Sequence, residues 1–329
     1  MLSTDFRRCR RSLSEQLLDR TADLTVVFKG EWIPPALIRA IDHRTVLWFA
    51  EYLGGPWDVD YLAYKNRAIL KYNCCAFDVV FLHDPQALRV CRQLGAKIVR
   101  WLPTLAVDIR RFRKLNVEKQ YDVVFIGGRT ERRSRIVEEL RKQFEVHWLR
   151  VWKPENLNLA FNKTKIVLNI HAADVLNLET RIGEVLGSGA FLLSDITSAP
   201  RMFVDGKHLV YWRFGDVDDL ITKVRYYLEH DEEREQIAAN GYAFARENHS
   251  IDQRVQQLLT LAFASAFTSV ECLGADFADT QTTGDMKFAA KHALTTMRAD
   301  AWAMYARTRV WLRTLTREGM NTSTRSVES

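Results

Sequence analysis

Nine short apolar runs set the limits on how this chain folds. They are Leu24–Phe28 (LTVVF), Val46–Phe49 (VLWF), Asp78–Leu82 (DVVFL), Lys97–Trp101 (KIVRW), Tyr121–Ile126 (YDVVFI), Glu145–Leu149, Lys165–Ile170, Ala190–Leu193 and His208–Trp212. Several lack the in–out alternation of a half-solvated strand and read as strands covered on both faces. Helical stretches lie between them: after Pro34-Pro35, over 58–72, after Asp84-Pro85, from Arg129 to about 143, and over 217–229, 231–247 and 252–267. Strand alternating with helix demands right-handed crossovers and parallel sheets, so the fold class is α/β. Leu102–Gln120 interrupts the pattern with Pro103 and the basic run Arg110–Lys114. It divides an N-terminal unit, 1–112, from a second unit, 113–265. An amphipathic helix is expected over 5–20, and a helical tail over 266–329 contains one long helix, Met286–Arg317.

Composition narrows the function classes. The 329 residues suffice for two domains with ample cores, and 47% hydrophobic with 27% charged residues is an ordinary globular balance. No apolar run reaches the roughly 18 residues of a membrane span, and the basic N-terminus lacks the apolar stretch of a secretory signal. Five cysteines, odd in number and without C-x-x-C spacing, argue against a disulfide framework or a zinc site and for a reducing cytoplasm. The net charge of +6 suits an anionic substrate or a membrane face and does not point to nucleic acid.

Ligands of open parallel sheets gather at the carboxyl ends of strands, which selects a few residues. Gly127-Gly128-Arg129 follows YDVVFI. The glycines admit close backbone approach of a phosphate, with Arg129, Arg132 or Arg133 supplying charge; an ordinary turn with exposed arginines fits the same residues. A dinucleotide G-x-G-x-x-G is absent, because Arg129 and Thr130 occupy the required third positions. Asn169 and His171 straddle Ile170 at the end of another strand. In RIGEVLGSGAFLLSD (181–195), Asn177 is the expected helix cap, Gly187 and Gly189 the left-handed stop, and Glu184 an acid suited to ribose hydroxyls or to a salt bridge with Arg181. From the N-terminal unit come Glu51 and His83, candidates to activate an acceptor hydroxyl, while Asp84 reads as a helix cap.

Taken in order, these segments resemble a family. R-x-x-E-x-x-x-x-G-A-F-L-L-x-D (Arg181, Glu184, Gly189–Leu193, Asp195) is similar to the donor segment of group 1 glycosyltransferases of the CgeB-like, spore-maturation type. The likeness extends through VVFKGEWIPP (26–35), FLHDP (81–85), WLPTLAVD (101–108), YDVVFIGGRTERR (121–133), VLNIH (167–171), FVDGKHLVYW (203–212) and ENHSIDQRV (247–255), about residues 20–262 in all.

The resemblance implies a GT-B architecture, two Rossmann-like domains facing across a cleft, the first binding acceptor and the second a nucleotide sugar. It implies a hexosyltransferase-type enzyme of polysaccharide or glycoconjugate synthesis, with no metal and no cofactor. Glu184 matches the ribose-binding glutamate; Gly127, Gly128 and Arg129 match the diphosphate loop; Asn169, His171 and Arg181 match cleft positions. Two departures stand out. Relatives carry a second glutamate eight positions earlier, where this chain has Leu176, leaving Asp174 or Glu179 as substitutes. They also carry a further βαβ portion before VVFKG, so either the N-terminal domain is reduced or the start of the protein is missing. A non-catalytic binding protein and a sugar-nucleotide epimerase on the same fold stay open beside the transferase. Sugar, base, acceptor and stereochemical outcome are not specified. The tail helix, with Leu294, Met297, Trp311 and Leu315 on one face and arginines around it, suits an anionic membrane surface, the chain's own N-terminal domain or a second copy.

Overall fold

A computed structural model describes residues 17–18, 22–30, 33–54 and 61–264. The tail helix expected over 286–317, and all but two residues of the helix expected over 5–20, lie outside them. All nine expected strands are present, in two wholly parallel sheets. The first sheet contains β1 (Leu24–Phe28), β2 (Arg44–Phe49), β3 (Val79–Leu82) and β4 (Val99–Trp101) in sequential order. Helices α1 (Pro35–Arg39), α2 (Tyr61–Asn73) and α3 (Leu88–Gln93) connect them. One sheet face buries Leu47, Phe49, Val80 and Leu82 against Ile38, Leu70 and Cys91.

The second sheet has the order β6-β5-β7-β8-β9, from β5 (Tyr121–Ile126), β6 (Val146–Leu149), β7 (Thr164–Asn169), β8 (Leu192–Asp195) and β9 (Val210–Trp212). The chain leaves β5 in one direction and returns on its other side as β7, so the strand order reverses there. That reversal opens a crevice at the carboxyl ends of β5 and β7, the place where open parallel sheets bind ligands. The sequential first sheet has no such reversal among its described strands. Around the second sheet lie α4 (Glu131–Arg141), α5 (Pro154–Asn162), α6 (Arg181–Gly187), α7 (Val217–Glu229) and α8 (Asp231–Asn248).

Two chain crossings join the units, and they are hydrogen-bonded to each other. The Val107 amide donates to His249 O at 2.7 Å, and the Ile251 amide donates to Val107 O at 3.1 Å. After the second crossing α9 (Ile251–Phe263), expected with the second unit, packs Leu258 and Ala262 on Val46, Val79 and Phe81 of the first sheet. Its start is a full capping box between Ser250 and Gln253.

Residues 105–107 lie directly on α6. A Cβ added at Gly187 would stand 2.3 Å from Val107 Cγ1, so glycine there lets the connection approach the helix axis. Gly187 is the last helical residue and takes no part in the left-handed stop, which falls to Gly189 at φ 71°. Gly187→Ala is expected to force Val107 outward and to cost about 1–3 kcal/mol by overpacking. A lowered urea midpoint at unchanged slope is the measurement.

The crossing also carries an acid-sensitive group. His249 is buried beside Arg254 and His208, and burial first, then the Arg254 charge, pushes its pKa down to about 4. An unfolded chain takes up this proton near the ordinary value of 6.5 and the folded one only near 4. Stability is therefore full above pH 6.5 and declines as pH falls toward 4, by about 2–3 kcal/mol for this group. Chemical denaturation at a series of pH values should show the decline, and His249→Asn should flatten it.

Candidate functional site

The crevice between β5 and β7 is lined first by Gly127-Gly128-Arg129-Thr130. Gly127 is buried, accepts from Trp148 Nε1 at 2.9 Å, and would place a Cβ 2.7 Å from the Phe125 ring. Gly128 faces open space. The Thr130 hydroxyl accepts from the Arg133 amide at 3.3 Å and caps α4, whose eleven residues direct their first N–H groups toward the loop. Arg129 is exposed and stands over the Trp148 ring at 5.4 Å. Arg133 bends back, donating from Nε to Ile170 O at 2.8 Å and from Nη1 to Gly128 O at 3.2 Å, which braces the loop from beneath.

Arg132 does something different from its neighbours. One residue into the helix, its side chain turns inward, is 3% exposed, and donates from both Nη atoms to Asp195 at 2.7 and 2.9 Å. Its Nε reaches Asp174 at 3.0 Å, and Nη1 also donates to His171 O. A guanidinium so occupied supports the crevice and does not face it, contrary to the expectation from sequence. Asn169 is likewise inward, donating to Ser194 Oγ at 2.9 Å.

His171 follows β7 with its amide donated to Asp195 at 2.7 Å. Burial lowers its pKa and keeps the ring neutral. With Nδ1–H donated to Val175 O at 3.1 Å, Nε2 is left as a buried acceptor without a partner among the described residues.

Helix α6 brings the acid. Glu184 pairs with Arg181 one turn earlier, and Arg181 lies over the Phe161 ring at 5.6 Å. The salt bridge expected from sequence is therefore present. Burial raises the Glu184 pKa, with Arg181 opposing the shift. Thr180 precedes the helix without capping it, and Asn177 does not cap it either; the Asn177 Oδ1 is buried without a partner.

The candidates from the first unit are engaged. Glu51, after β2, pairs with Lys29, after β1. His83 is 4% exposed and neutral through burial. Its Nε2–H donates to Leu178 O of the second unit, and its Nδ1 accepts from the Thr104 amide at 2.9 Å. Gln86, capped back on Asp84, donates to Leu176 O at 3.0 Å. Both residues thus hold the 174–180 loop against the first unit. Beside them a cavity of about 240 Å³ opens between the units, lined by Tyr52 and Gln86 on one side and by Asp174, Val175, Leu176 and Phe214 on the other.

Glu179 is one of the two substitutes that the sequence offers for the second glutamate. Its charge acts on His83 from the first unit and on His171 and Arg133 from the second, yet its carboxylate has no hydrogen-bond or ion-pair partner among the described residues. Asp174, the other substitute for the missing second glutamate, is tied to Arg132. The available signal was the position of Glu179 five residues before Glu184. Among the described residues no group of three or more His, Cys, Asp or Glu side chains is placed to hold a metal ion, and no helix is long and apolar enough to cross a membrane.

Residues 110–260, covering the second sheet and its crevice, match the family model described as glycosyl transferase-like. No curated protein sequence matches the chain. Solved structures do. Sucrose-phosphate synthase from Thermosynechococcus elongatus aligns at TM-score 0.57 and 12% identity, over 73% of this chain and 72% of that one. HepE from Anabaena, in complex with UDP-glucose, aligns at 0.55 and 13%, over 73% and 78%. The UDP-forming α,α-trehalose-phosphate synthase from Burkholderia vietnamiensis aligns at 0.52 and 12%, over 72% of each. At these identities the likeness is one of fold. The chain therefore has the two-sheet α/β fold of GT-B glycosyltransferases, and its residues 110–260 match the glycosyl transferase-like family model.

Proposed function

We propose that the protein transfers a hexosyl group from a nucleoside-diphosphate sugar to an acceptor hydroxyl, without a metal ion, as a member of the CgeB-like branch. The observation that carries the reading is where the family match falls. Among the described residues the strand-order reversal falls within 110–260, as do the open Gly128 loop and Glu184. The structures it resembles include HepE bound to UDP-glucose.

On this reading the diphosphate rests against Gly127, Gly128 and the α4 amides. Arg129, a loop cation without an acceptor among the described residues, neutralises the charge that grows as the sugar–phosphate bond breaks. Glu184 accepts from the ribose hydroxyls. Glu179, unpaired and within the influence of His171 and Arg133, faces the transferred sugar. His83 ties the first unit to the second and Glu51 pairs with Lys29 within the first, and neither serves as acid or base on this reading, because their polar atoms are already engaged. The free thiols Cys74, Cys75 and Cys91 suit a cytoplasmic setting.

A panel of uridine, guanosine, adenosine and thymidine diphosphate sugars tests the reading, first by thermal shift and then by release of nucleoside diphosphate. One donor should raise the melting temperature, since a ligand of the native state stabilises by mass action. Release should follow when acceptor is added. A stabilising donor that is never consumed favours a binding protein, and an epimerised donor favours an epimerase. No stabilisation by any donor overturns the proposal.

A further inference from the structure

The connection between the units carries a surface that the transfer reaction does not use. Residues 113–120 run along the outside of α5 and are bonded to it. The Arg113 amide donates to Asn158 Oδ1 at 2.9 Å, the Leu115 amide to Asn162 Oδ1 at 2.7 Å, and the Gln120 amide to Lys163 O at 2.7 Å. Two buried asparagines thus fix one edge of an extended segment to a helix, and Phe112 is buried beneath its start.

Cations outnumber acids along this strip, although Lys119 at its end donates to Thr164 O at 2.9 Å and lies within the influence of Glu235 on α8. Arg110, Arg113 and Lys114 on the connection, and Arg150, Lys153 and Lys163 around α5, have no ion-pair partner among the described residues. Arg111 alone pairs, with Asp108 at 3.3 Å. The acids in the same segments, Glu118 and Glu155, are fewer than the cations. Beside the cations stand two apolar side chains that a folded surface ordinarily covers: Trp152, 60% exposed, at the start of α5, and Leu159, 39% exposed, on its outer face. Unpaired cations on a segment fixed to a helix that also carries an exposed indole before its start and an exposed leucine match a bilayer interface, where headgroups meet cations and apolar side chains enter below.

We propose that this strip, residues 110–119 with 150–163, docks the protein on a membrane surface rich in acidic phospholipid. The strip includes none of the crevice residues Gly127–Arg129, His171 or Glu184, and the inference does not depend on the transfer reading. Fixed to α5, the strip loses little freedom on docking, and its attraction is screened by salt over about 10 Å at 0.1 M.

The test uses the full chain and vesicles of phosphatidylcholine with and without phosphatidylglycerol, followed by co-sedimentation. Binding is expected only to the vesicles containing phosphatidylglycerol and is expected to weaken as salt rises. The variant Arg110→Glu/Arg113→Glu/Lys153→Glu, none of whose positions lies in the crevice, is expected to lower the partition coefficient at least about tenfold. Its melting temperature should stay that of the parent. If that variant is unstable, Arg150→Glu with Trp152→Ser gives the same reading from the other side of the strip. Failure of the parent to bind the anionic vesicles overturns the proposal, and so does parent-like binding by the folded variant. Binding to polyuridylate in place of vesicles at the same salt concentration also overturns it, by assigning the strip to a soluble polyanion.

Discussion

Asp195→Asn is expected to lower stability by about 3–5 kcal/mol, the cost of leaving a buried cation without its counter-charge. Asp195 is fully buried at the end of β8, where it accepts from both Arg132 Nη atoms and from the His171 amide. Arg132 also lies over Phe214 at 4.7 Å and Trp212 at 5.7 Å, so the guanidinium is enclosed by rings as well as by the carboxylate. Asparagine preserves the shape and part of the hydrogen bonding and removes the charge. Asp174, 68% exposed, remains as a weak second partner. Urea denaturation should show the loss, with the melting temperature down on the order of 10 °C. The paired replacement Arg132→Met/Asp195→Leu should recover much of it, because a buried ion pair replaced by apolar side chains of similar volume is often neutral. A loss under about 1 kcal/mol for Asp195→Asn would show that Arg132 is not held as described.

The same residues show what sequence conveys and where it stops. The strands were legible because parallel strands buried on both faces read as apolar runs, and LTVVF and YDVVFI have the bounds expected of them. The run ending Ala190–Leu193 slips by two residues, to Leu192–Asp195, because Ser194 and Asp195 are polar yet wholly buried. Their partners, Asn169 and Arg132, come from other elements, and no local pattern announces them. Helix α5 went unread for a related reason. Asn158 and Asn162 face inward to hold the connection and break the apolar spacing of Leu157, Ala160 and Phe161. The crevice was placed by the rule of strand ends, but three arginines in TERR and its approach were interchangeable on paper. Helix position separates them: Arg132 turns inward, Arg133 braces the loop and Arg129 stays exposed. His83 looked available because its partner, Leu178 O, lies 95 positions away in sequence and in the other unit.

That separation of the arginines leads to the second large effect, at the diphosphate loop. If the proposed donor site is right, Arg129→Ala lowers kcat by about 10²–10³, the usual cost of removing one group aimed at developing charge. Glu184→Gln, which removes one charged hydrogen bond to a ribose hydroxyl, weakens donor binding by about tenfold to a hundredfold and acts on ground state and transition state alike. The contrast between the two variants carries the information. Arg129 makes no hydrogen bond among the described residues, and its ring contact with Trp148 is at the surface. Its removal should therefore leave the melting temperature unchanged while kcat falls. Arg133→Ala is a poor substitute test, since it also releases Ile170 O and Gly128 O and disturbs the loop itself. Steady-state rates with varied donor, and donor dissociation constants from calorimetry, separate the cases. If Arg129→Ala raises KM and leaves kcat near the parent value, Arg129 is a ground-state contact, and the growing negative charge is met by the backbone amides of the glycine loop and α4 alone.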